Sequence, residues 1–130
     1  MTRRDKADRL DSVEVHAAEL TGLADEAAQA VRAINHATIT GPPLPAPCVY
    51  DVLGALKLLG YGLDQATGQL ADRLAASVET FDLYECDSSD PADQVAVATA
   101  ALTHAARTAR ALGELLNQAQ SAIAGQGCRL

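Results

Sequence analysis

The sequence predicts an all-α protein, an antiparallel bundle of three long helices. Three observations carry that expectation. First, three long stretches each repeat an apolar residue every seventh position: Val13, Leu20, Ala27 and Ile34; then Val49, Leu56, Leu63 and Leu70; then Val95, Leu102, Ala109, Leu116 and Ile123. Each row has a companion three or four residues away, which makes one continuous stripe on a helix. Second, the composition suits helices. Apolar residues make up 48% of the 130-residue chain and aromatic residues only 3%, so the apolar content is mainly Ala, Leu and Val, and Ala and Leu are strong helix formers. Third, Gly41, Pro42, Pro43, Pro45 and Pro47 cluster after the first stretch, and Gly125 and Gly127 follow the third, where helices must stop.

The first helix is expected from about Asp8 to His36, with residues 1–7 frayed. Arg3, Arg4, Lys6 and Arg9 form a basic cluster there, interrupted by Asp5 and Asp8, which reads as a solvated tail. Residues 38–48 (TITGPPLPAPC) form a connector. Gly41 suits a helix exit, and Pro42, Pro43, Pro45 and Pro47 impose a stiff extended path. Pro42 and Pro45 also stand at PxxP spacing, a weak signal for a partner groove beside the plainer reading as a spacer.

The second helix is expected from about Val49 to Val78, with Val49, Leu53, Leu56, Leu63, Leu70 and Leu74 facing the core. It carries Gly54, Gly60, Gly62 and Gly68. A glycine in a helix interior costs about 1 kcal/mol against Ala, so four need a reason. A break at Gly60–Gly62 would give four helices instead of three. Residues 79–89 form an acidic connector in which Phe81, Leu83 and Tyr84 should dock on the bundle end. The third helix has the clearest start: Asp90 as N-cap, Pro91 at the first helical position and Asp93 in the first turn. It should run to about Ala124 and end at Gly125 and Gly127. The whole, 1–130, reads as a single helical-bundle domain.

The formal net charge is −7, which argues against a nucleic-acid binder, because phosphate contacts need clustered Lys and Arg. No apolar run approaches the ~20 residues of a membrane span, and no apolar core follows the basic N-terminus as in a signal peptide. The three cysteines, Cys48, Cys86 and Cys128, are odd in number and far apart, as in a reducing cytoplasm with free thiols.

Candidate chemistry is sparse. In an up-down-up bundle His36, Cys48 and Cys128 fall at one end and Cys86 at the other, but no CxxC or HxxxH spacing marks a metal site. His16 reads as half-buried in the first helix. Glu79, Asp82, Glu85, Asp87, Asp90 and Asp93 crowd one connector without the central Gly of a calcium loop, so capping and solubility explain them. Nucleophile elbow, HExxH, GxGxxG and P-loop are all absent. The expectation is therefore no enzyme, no cofactor and no metal.

One feature points to binding. A second stripe on the second helix, Tyr50, Gly54, Leu58, Tyr61, Gly62 and Gly68, offers two tyrosines, a leucine and small residues where a surface helix should be polar. Small residues allow close backbone approach and tyrosines anchor interfaces. The expected function is a cytoplasmic protein–protein interaction module, self-associating as a homodimer through this stripe and binding a further protein. The competing readings are a secretion-linked helical protein, told apart by its appearance in culture medium, and a small enzyme or metal protein using His36 and Cys48, told apart by metal analysis. An acidic mimic of nucleic acid is a more distant alternative.

The segment VYDVLGALKLLGYGLDQATGQLADRL, from Val49 to Leu74, followed by an Ala-rich helix opening DPADQV, resembles small uncharacterised helical proteins of high-GC actinobacteria. The resemblance covers about the last two thirds of the chain and implies a helical fold but no activity. Compared with the WXG100-type helical hairpins, the chain lacks the Trp-x-Gly turn. Tyr50, Tyr61 and Tyr84 are followed at the fourth residue by Gly54, Gln65 and Ser88 rather than by the acid of the YxxxD/E tag.

Overall fold

A computed structural model describes residues 1–129. It is all-α, as the seven-residue rows predict, with helices α1 (Arg3–Thr40), α2 (Ala46–Thr80) and α3 (Pro91–Ala122) and no strand among the described residues. The alternative with four helices does not occur, because α2 runs unbroken through Gly60–Gly62. The chain divides into two compact units, Met1–Pro43 and Leu44–Leu130.

The first unit is one helix of 38 residues. It begins five residues before the expected Asp8, and the cause is a capping box. The Thr2 hydroxyl accepts from the Asp5 amide at 3.1 Å, while the Asp5 carboxylate accepts from the Thr2 amide at 3.0 Å and from its hydroxyl at 2.6 Å. Two orphan amides of the first turn are thereby satisfied. The same hydrogen bonds, the side-chain one foremost, hold the Asp5 carboxyl below its ordinary pKa of 3.8. At the other end Gly41 caps the helix in extended conformation and donates to the Thr38 carbonyl at 3.4 Å. A Cβ there would stand 2.9 Å from the Ala37 carbonyl oxygen. The connector is thus shorter than expected, Gly41 to Pro45. Pro45 then serves as the N-cap residue of α2.

The second unit is an antiparallel hairpin of α2 and α3. Its register is legible from four pairs in which one number rises as the other falls: Gly54 with Gln120, Lys57 with Asn117, Gly60 with Gly113 and Asp64 with Arg110. The α3 side of the seam is the expected row. Val95, Leu102, Ala109, Leu116 and Ile123 are all half-buried, and Ala106, Gly113 and Gln120 between them are buried. The α2 side departs from expectation in part: of the six residues expected to face the core, Leu53 and Leu74 do face α3. The row facing α3 is Leu53, Gly60, Thr67 and Leu74, accompanied by Tyr50, Lys57, Asp64, Ala71 and Val78. Of the expected row Val49, Leu56, Leu63 and Leu70, the first two are half-buried at the seam's edge, and Leu63 and Leu70 remain 44% and 50% exposed. The physical reason is distance. A Cβ on Gly60 would lie 2.9 Å from the Gly113 nitrogen and 3.2 Å from the Ala109 carbonyl oxygen, so the two backbones meet there where only glycine fits, and Gly60 and Thr67 take the middle of a row whose ends are Leu53 and Leu74.

Between the helices, the connector reverses at Ser88, whose φ is 68°. With no glycine available, Asp87 stabilises the turn: its carboxylate accepts from the Ser89 amide at 3.0 Å and from the Ser89 hydroxyl at 2.7 Å. The hydroxyl bond is the main reason the Asp87 carboxyl sits below its ordinary value. The start of α3 is as predicted, with Pro91 in its first turn and the Asp90 side chain accepting from the Ala92 amide at 3.0 Å.

Candidate interaction surface

The hairpin has two edges of opposite character. Along one edge run the residues that follow the seam, and here the helices exchange polar contacts. Lys57 donates to the Asn117 side-chain Oδ1 at 3.0 Å, Arg110 approaches Asp64 at 3.7 Å, and the Tyr61 ring lies over Gly113, where a Cβ would meet it at 2.7 Å. Gln120, only 8% exposed, donates its amide to the Tyr50 carbonyl at 3.2 Å. Every buried side-chain polar atom among the described residues is partnered.

Along the other edge run the residues that precede the seam: Val49, Leu56, Leu63 and Leu70 on α2, and Ala98, Ala105, Leu112 and Ala119 on α3. Val52 and Leu59 extend this edge outward on α2, and Leu115, 60% exposed, does so on α3. The seam itself buries little. Among the described residues the buried apolar side chains are Ala71 and Ala106, and neither is fully enclosed. The larger aliphatic groups therefore lie beside the seam and reach water.

The six residues predicted to form the binding stripe are split by this arrangement. Tyr50, Gly54 and Tyr61 are engaged inside the hairpin: Tyr50 through its carbonyl, Gly54 under the Gln120 amide at 2.8 Å from a Cβ, and Tyr61 on Gly113. Leu58 is 65% exposed, and Gly62 and Gly68 have nothing within 4 Å of a Cβ. The stripe is thus not one surface. The residues that sequence reasoning missed are Val52, Leu59, Leu112 and Leu115. Their signal was present in the same heptads: apolar residues one step round from the row assigned to the core.

The α1 stripe keeps strict spacing. Leu10, Val13, Ala17, Leu20, Ala24, Ala27, Val31 and Ile34 alternate steps of three and four over four heptads, and no residue of α1 is buried.

Side chains with catalytic potential are dispersed. His16, His36 and His104 are exposed, as are the free thiols Cys48, Cys86 and Cys128. Among the described residues no three His, Cys, Asp or Glu side chains gather as a metal site, and no helix is long and apolar enough to cross a membrane. Helix hydroxyls are occupied locally: Thr21, Thr67, Thr103 and Thr108 each donate to the carbonyl four residues back. Comparison with protein-family models, with curated proteins and with solved structures finds no match.

Proposed function

We propose that this protein is a non-enzymatic interaction module of the cytoplasm, which self-associates through its second helix and docks a further protein. The supporting observation is the apolar edge of the hairpin. We place the self-contact on the Val49–Leu70 row, because Tyr50, Gly54 and Tyr61 are occupied by α3. From Val49 to Leu70 the edge is about 33 Å long at ~1.5 Å per residue, and two adjacent helices make it about 20 Å wide. Two such faces bury roughly 1,300 Å² together, at the lower end of the ~1,200–2,000 Å² typical of specific interfaces. A twofold contact uses the same patch on both copies, so one substitution acts twice.

The test is molar mass by light scattering at micromolar concentration. Wild type should run above the monomer mass, and the pair Leu63→Glu with Leu70→Glu should lower that mass at the same concentration without loss of helicity, since both side chains already reach solvent. Leu58→Glu, on a different face, should leave the mass unchanged. A monomeric wild type refutes self-association.

A further inference from the structure

We propose that α1 is a second self-association element, which pairs in parallel and in register with α1 of another copy of this chain. The occupant is chosen by charge as well as by pattern. With Leu10 as the first core position of a heptad and Val13 as the second, the row to Ile34 fills every core position over four heptads with an apolar residue. Arg9 then immediately precedes a core position, and Glu14 immediately follows one. In a parallel coiled coil those two flanking positions, five residues apart, face each other across the interface, and such pairs set partner and orientation. Arg9 of each copy meets the partner's Glu14, twice by symmetry. An antiparallel pair with full overlap brings Arg9 opposite Ala37 and Glu14 opposite Ala28, and neither charge gains a counterpart. The length agrees: isolated helices depend on packing of an amphipathic face for most of their stability, and this one has 38 residues with none buried. Gly22, with nothing within 4 Å of a Cβ, stands on the opposite face and does not interrupt the row. The inference uses residues of the first unit alone and does not depend on the hairpin contact proposed above.

The experiment uses the full chain with Cys48, Cys86 and Cys128 changed to Ser, so that one introduced thiol reports position. Val13→Cys should form a disulfide-linked dimer under mild oxidation, because parallel in-register strands bring core positions of equal number together. Gln29→Cys, on the outer face, should not. Arg9→Glu should weaken pairing by roughly three- to tenfold from the loss of two exposed charge pairs, and Arg9→Glu with Glu14→Arg should restore it. All of this should persist with Leu63→Glu and Leu70→Glu present. Cross-linking of Val13→Cys only to Val31→Cys would show antiparallel pairing and overturn the proposal. So would cross-linking that vanishes in the Leu63, Leu70 background, or an Arg9→Glu chain that pairs like the parent.

Discussion

Gly60→Ala and Gly62→Ala are two substitutions of the same chemistry, two residues apart on one helix, with different expected outcomes: only the second should stabilise. Both replace a helix-interior glycine and so gain about 1 kcal/mol of helix propensity. At Gly62 nothing lies within 4 Å of the new methyl group, so the gain should appear nearly whole. At Gly60 the methyl meets the Gly113 nitrogen at 2.9 Å, its Cα at 3.0 Å and the Ala109 carbonyl oxygen at 3.2 Å. These are backbone atoms and cannot swing aside, so the helices must part by something approaching 1 Å to reach the ordinary ~3.5–4.0 Å separation. Overpacking of this kind typically costs about 1–3 kcal/mol. Net, Gly60→Ala should be neutral to about 2 kcal/mol destabilising, and the gap between the two variants should be about 1–3 kcal/mol. For a small domain that corresponds to roughly 5–20 °C in melting temperature. Thermal unfolding followed by circular dichroism measures both. Gly113→Ala should fall between them, since its obstacle is the Tyr61 ring, a side chain with room to move. If Gly60→Ala is as stabilising as Gly62→Ala, the close approach of α2 and α3 is wrong and the register built on it fails.

Tyr61→Glu should lower the melting temperature, because it strips the ring from Gly113 and puts a charge there; an unchanged melting curve would return Tyr61 to the free surface. Leu102→Asp, on the seam, should destabilise by several kcal/mol, and Leu63→Asp, on the open edge, by far less; equal losses would show that the two rows had been confused. Gln120→Ala should cost about 1 kcal/mol or more from the lost hydrogen bond to Tyr50 and the space left behind, again read from melting. All three thiols should react with a chromogenic disulfide reagent in the native protein, and a thiol released only by denaturant would contradict its exposure. The folded-state pKa of Asp5 is depressed, so its contribution to the α1 N-terminus is present above the unfolded value near 3.8 and is lost as pH falls through the folded value. Carboxyl titration by NMR should show Asp5 below 3.8 and Thr2→Ala should bring it back.

The α3 half of the hairpin was legible in the sequence because its seam is apolar, its cap is Asp90 and its first residue is Pro91. The α2 half was legible in part: Leu53 and Leu74, expected in the core, do face α3, and the rest was misread because hydrophobicity and proximity part company there. Gly60, Thr67, Lys57 and Asp64 face the partner helix, while the more apolar row beside them does not. A reading that ranks rows by oiliness selects Leu63 and Leu70; a reading that asks where backbones can touch selects Gly60. The stripe that joined Tyr50, Gly54 and Tyr61 also mixed different surroundings: Gly54 and the Tyr61 ring meet α3 directly, and Tyr50 does so through its backbone carbonyl. Glycines on α2 needed a reason, and two of the four have one: Gly54 and Gly60 make room, whereas Gly62 and Gly68 have open space beside them and nothing in the structure accounts for them. The early start of α1 escaped notice because Thr2 and Asp5 sit inside a basic cluster that reads as a tail.

The polar contacts along the hairpin contribute little energy as exposed pairs, yet they answer a problem that a seven-residue repeat creates for itself. Apolar rows with that period fit almost as well after one helix slides along the other by one repeat. Here the slide is not neutral. Moving α3 by seven residues in one direction takes Lys57 off the Asn117 side-chain amide and sets it against Arg110, two cations in one place, while Asp64 faces Thr103. Moving it in the other direction leaves Lys57 opposite Ala124, past the end of the helix. The glycine pair breaks in both cases. A hairpin with an oilier, uniform seam would hold more tightly and in several alignments; this one gives up some adhesion and keeps a single alignment.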